Sequence, residues 1–113
     1  MAQNRNKLIE LFIGNISNAI VHDILERAIR DEMVSSRYRK ELITSFEIAK
    51  KYREKINPPD KPLSIKDSSY IRIKIMSKVK AELVLRISKG YKNIDLKLIS
   101  KLVDEVLKNT VVE

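Results

Sequence analysis

The sequence predicts an all-α fold, a compact bundle of four main helices forming one domain over residues 1–113. Three observations lead there. The chain holds only two glycines and three prolines, so turns are few and elements must be long, which favours helices at this length. Apolar residues recur at helical spacing in each stretch between the breakers. A share of 43% hydrophobic and 34% charged residues suits a folded, amphipathic chain rather than a disordered one.

The first helix is expected from about Lys7 to Met33. Ile9, Ile13, Ile16, Ile20, Ile24 and Ala28 form a stripe, widened by Phe12, Val21, Leu25 and Ile29. So wide an apolar face suits either a helix packed against all the others or a surface for a partner or second copy. Charged pairs four residues apart follow on the polar side: Asp23 with Arg27, Glu26 with Arg30, and Arg27 with Asp31. Gly14 inside the pattern marks either a close helix crossing or a break. Ser35 or Ser36 is the expected cap of the second helix, which carries the stripe Tyr38, Leu42, Phe46, Ala49, Tyr52 and Ile56. Asn57-Pro58-Pro59 ends it, because proline cannot continue the hydrogen-bond ladder.

Ser64, with Asp67 three residues on, resembles a capping box and starts the third element, which stops at Gly90. Its period is ambiguous. Ile71, Ile75, Met76, Val79, Leu83 and Ile87 give a helical stripe, yet residues 70–87 also alternate as a strand pair would. A strand pair needs a turn near Ser77–Lys80, and no Gly, Pro, Asn or Asp stands there, so the helix is preferred. The last helix begins near Asn93 or Asp95, with Leu96, Ile99, Leu102, Val103, Val106 and Leu107 facing inward.

The formal net charge is +8, and its distribution is uneven. Residues 1–35 carry four Lys/Arg against five acids and residues 94–113 three against four, whereas residues 63–93 carry eight against two. A basic centre between nearly neutral ends is the footprint of a polyanion or acidic partner. On a helical third element, Lys74, Lys78, Arg86 and Lys89 are expected along one outward strip, with Arg72 and Lys80 at its edges and Lys92 beyond it. These seven are the candidate contacts to nucleic-acid phosphates. Tyr38 and Tyr52 lie on the apolar stripe and are expected in the core, while Tyr70 and Tyr91 are candidate exposed aromatics.

Several chemistries find no support. The chain has no cysteine, which removes disulfides and thiolate sites and favours a reducing, cytoplasmic setting. His22 is the only histidine; with Asn18 and Glu26 on its side it falls short of a metal's three or four ligands, and a surface position beside acids is expected. HEPN nucleases are similar in size and helical content, but their signature arginine closely followed by histidine is not met by Arg5 and His22. The carboxylates are mostly spaced as partners of Lys or Arg, no nucleophile elbow is present, and no uncharged run approaches the roughly 20 residues of a membrane span. Neither an enzyme nor a cofactor, metal or membrane is expected. Abundant Ile, Lys and Glu fit a thermophile or an AT-rich genome equally. The leading expectation is a non-enzymatic accessory protein that binds DNA or RNA through the central basic face. The alternative is an assembly or adaptor subunit, homo-oligomeric or not, whose basic face meets an acidic protein.

Overall fold

The computed structural model describes residues 4–29, 32–58 and 60–113. These form four helices, α1 (Arg5–Ala28), α2 (Glu32–Ile56), α3 (Ile65–Ser88) and α4 (Leu98–Asn109), with no strand among the described residues. The all-α bundle expected from the sequence is therefore what the chain forms, and residues 70–87 are helical.

Helix α1 is the axis of the fold. It packs against each of the other three helices, α3 and α4 also pack on each other, and α2 lies along α1. That answers the question of its wide apolar face. Phe12, Ile13, Ile16, Ile24 and Leu25 are fully buried among Ala49, Ile71, Ile75, Val79, Leu83, Val103 and Leu107. By length and composition α1 is apolar enough to cross a membrane, but 67% of its most apolar window is buried inside the bundle. Its apolarity is spent on the core, where burial contributes about 1.5–3 kcal/mol per large aliphatic side chain.

The helix ends differ from expectation in three places: the end of α1, the start of α2 and the start of α4. Asn4 caps α1, its side chain accepting from Asn6 N–H at 2.8 Å. The helix closes at Ala28 with Ile29 extended, rather than at Met33. No Gly or Pro announces this stop. The reversal places Tyr38, Phe46 and Ala49 of α2 against the α1 core, so packing overrides a propensity that would have let the helix run on. Ser35 and Ser36 consequently lie within α2 and not at its cap. The expected pairs of Arg30 and Asp31 and the second proline, Pro59, lie outside the described residues. Gly14 marks neither crossing nor break: α1 is continuous through it, and a Cβ there would meet nothing within 4 Å.

The α3 ends follow the sequence closely. Ser64 Oγ accepts from Asp67 N–H at 3.2 Å, and Asp67 accepts from Arg5 at 2.7 Å. At the other end Gly90 (φ 100°) and Tyr91 close a Schellman turn, with Tyr91 N–H donating to the Arg86 carbonyl and Gly90 N–H to that of Ile87. The Arg5–Asp67 pair joins the starts of α1 and α3, so the two run the same way. Before α4, Asp95 accepts from Lys97 N–H and its carbonyl from Leu98 N–H, a tight turn that delays the helix proper to Leu98.

Arg53 of α2 is 2% exposed. Its guanidinium donates to Asn57 Oδ1 and to the carbonyls of Lys61 and Val111, the latter two at 2.7 Å. It thereby ties the end of α2, the proline loop and the C-terminal segment together.

Candidate functional site

Helix α3 is apolar on two sides. Ile71, Ile75, Val79 and Leu83 step four residues at a time along the inner side and are fully buried. A step of four overshoots the helical turn slightly, so the inward position drifts. By the next turn it has passed to Arg86, and Ile87, expected inside, is 41% exposed. On the outer side stand Tyr70, Ile73, Val84 and Ile87, with Ile73 at 64% exposure, separated by the small residues Ser77 and Ala81. Leu85 is also exposed, on the margin that carries Lys74 and Lys78.

The seven candidate cations divide into three groups. Arg72 and Arg86 are committed within the fold. Arg72 donates to both oxygens of Glu113 at 2.9 and 2.7 Å, and also to Asp104 of α4. These bonds, Glu113's foremost, raise the guanidinium pKa further above its ordinary value. Arg86 donates to Glu82 at 2.9 Å and lies over the Tyr91 ring at 5.4 Å. Lys74 and Lys78 form one margin, on the α1 side: the Lys74 ammonium sits over the Tyr70 ring at 5.8 Å, and Lys78 borders a groove shared with Gly14, Ser17 and Asn18. Lys80 occupies the other margin, toward α4, and Lys89 and Lys92 follow the helix end. No ion pair engages Lys74, Lys78, Lys80, Lys89 or Lys92 among the described residues. Both acids of α3 are occupied, Asp67 by Arg5 and Glu82 by Arg86. The lysines thus frame an apolar ridge; Arg86 shares a groove with Lys78, whereas Arg72 is turned to the acids of α4 and the C-terminus.

Toward α4 the ridge descends into a groove of about 480 Å³ lined by Met76, Ser77, Lys80, Leu96, Lys97 and Ile99. Leu96, expected inside, is 37% exposed at its edge. Sequence reading missed this groove because it depends on how α3 meets the turn before α4. The outward apolar residues did leave a signal. The strand-like alternation over 70–87 is what a helix produces when it carries one apolar stripe inward and a second outward.

The cations of α2 do not join the ridge. Arg39 lies 3.9 Å from Glu26, Lys50 pairs with Glu47 at 3.1 Å, and Arg53 is buried. Tyr38 and Tyr52 pack partly buried against the core, and Tyr70 and Tyr91 are exposed, as expected. Arg86 donates to the Tyr91 hydroxyl at 3.3 Å; Tyr38 first and Arg86 second hold that hydroxyl's pKa below the usual value.

His22 is not on the surface. It is 7% exposed, Nε2 lies 2.7 Å from Glu41 Oε2, and its ring tilts against Tyr38 at 5.6 Å. Nδ1 has no partner among the described residues. Glu26 faces Arg39 and Asn18 donates to Ser45, each with a partner on α2. No group of three potential metal ligands occurs among the described residues.

Searches against protein-family models, curated proteins and solved structures found no match for the chain.

Proposed function

We propose that the protein is a non-enzymatic adaptor or assembly subunit whose α3 face binds an acidic protein. One observation carries this: Ile73, Val84 and Ile87 stand exposed between lysine margins, beside an apolar groove. A phosphate backbone would satisfy the lysines but leave those aliphatic side chains against charged oxygens. A protein surface with apolar residues and flanking carboxylates satisfies both, an apolar centre with a charged rim.

A second reading, phosphate contact with DNA or RNA, is favoured by the five lysines that have no carboxylate partner among the described residues. Titrating the protein with duplex and single-stranded DNA and RNA, and with an acidic peptide carrying leucines, at low and at physiological salt separates the two. The acidic peptide is expected to retain most of its affinity at physiological salt, because apolar burial is not screened, whereas nucleic-acid binding should fall steeply. Nucleic-acid binding that stays tighter than peptide binding at physiological salt, and that drops on Lys78→Glu or Lys89→Glu, overturns the adaptor function in favour of the second reading.

A further inference from the structure

We infer, on the basis of the acidic-partner function proposed above, that the occupant is an amphipathic α-helix with acidic margins, laid along the groove between α3 and the start of α4. Ile73, Ser77, Val84 and Ile87 recur at spacings of four, seven and three along α3, the seam that a second helix reads, with Lys80 on its groove side. Ser77 at the centre is small, which lets the partner's backbone come close, and the groove beside it has room for a large apolar anchor against Met76, Leu96 and Ile99. The backbone argues for a helix as well. No sheet edge exists among the described residues, and the α3 backbone is hydrogen-bonded within its own helix. An extended segment on this face would therefore bury unpaired N–H and C=O groups, while a helix satisfies its own.

Charge selects the partner. Lys80 and Lys97 line the groove, and Lys74 and Lys78 run along the far side of the ridge. A second copy of this chain would oppose lysine to lysine on either margin, so self-association through α3 is disfavoured. Carboxylates on both margins of the partner complement the same rows. A flat anionic lipid surface would meet the lysines yet leave the concave groove unfilled.

The test uses a synthetic helix of about 20 residues with a leucine seam and glutamate margins. Its controls are the same seam with lysine margins, a proline-interrupted acidic peptide of equal composition, and phosphatidylserine vesicles. Binding to the full chain is followed by calorimetry and by amide chemical shifts. The glutamate helix is expected to bind, with shifts centred on Ile73, Ser77, Val84, Ile87 and Leu96. Combining Ile73→Asp with Val84→Asp should weaken binding at least about tenfold while helical circular dichroism is unchanged, since both side chains are exposed. Lys80→Glu should weaken the glutamate helix and strengthen the lysine-margined one. Equal binding of the two helices, a dimer held through these residues in ultracentrifugation, or preferential retention on vesicles overturns the inference. If the proline-interrupted peptide binds and the helix does not, the helical form is wrong and the acidic-partner function stands. If neither binds, both fall.

Discussion

Val111 holds a conformation that its side chain resists. Its φ is 57°, in the left-handed region, where a β-branched residue is strained by about 1–2 kcal/mol. It occupies the position that glycine fills after α3. Val111 N–H donates to the Lys108 carbonyl and Val112 N–H to that of Leu107, the same Schellman pattern that Gly90 and Tyr91 make. Two contacts hold it there. Val112 is fully buried, and the Val111 carbonyl accepts from Arg53. Glycine removes the strain and keeps both, although the unfolded chain gains freedom. Val111→Gly is therefore expected to stabilise the fold by about 0.5–1 kcal/mol, read as a higher denaturant midpoint at unchanged slope. A lower midpoint would mean that the valine side chain packs more than its partial exposure implies.

At the scale of elements, two contacts far apart in sequence fasten the helix ends. Arg53 is a buried cation held by two carbonyls and an amide oxygen rather than by a carboxylate. Arg53→Met leaves Asn57 Oδ1 and the Val111 carbonyl without their donor, while the Lys61 carbonyl keeps Asn57 Nδ2, and a loss of about 1–3 kcal/mol is expected in chemical denaturation. Arg53→Lys should not restore it, because an ammonium lacks the fork that reaches all three. The second contact is Asp67 at the start of α3. Its carboxyl pKa lies below the usual value, chiefly because Arg5 donates to it. The unfolded carboxyl titrates near 4, so the pair stabilises the fold fully above that pH and ceases to do so as pH falls through the lower folded value. Both partners are partly exposed, so the effect is under about 1 kcal/mol. Asp67→Asn should lower Tm slightly at neutral pH, and the difference from wild type should vanish near pH 2. A constant difference across that range would show that the pair is not its source.

The same scale shows what could be read in the chain and what could not. Ser64, Asp67 and Gly90 announce the ends of α3 because capping is local chemistry, and they are where the sequence places them. The end of α1 carries no such residue; tertiary packing stops it at Ala28. Arg53, His22 and Arg72 look like surface residues in one dimension, since their partners Val111, Glu41 and Glu113 lie on other segments. The lysines of α3 were legible as a basic element. Their division around an apolar ridge was not, because it depends on which side of α3 the core takes.

At the scale of the whole molecule, the charge that suits a partner works against the free fold. A net charge of +8 on 113 residues repels itself, and the lysines around the α3 ridge have no carboxylate among the described residues to offset them. Were those lysines present for stability, replacing them should weaken the bundle. Were they present for an acidic partner, replacing them should relieve repulsion and cost only binding, as expected when function and stability compete. The triple variant Lys74→Gln, Lys78→Gln, Lys80→Gln decides between these. It is expected to raise Tm by about 2 °C at low ionic strength, a fraction of a kcal/mol at this chain length. The gain should disappear near physiological salt, where the screening length is about 8 Å. The same variant should bind the glutamate-margined helix at least about tenfold more weakly. A lower Tm at every salt concentration would make these lysines part of the fold's own support, through their stems along the apolar ridge, and would remove the charge argument for a partner on α3.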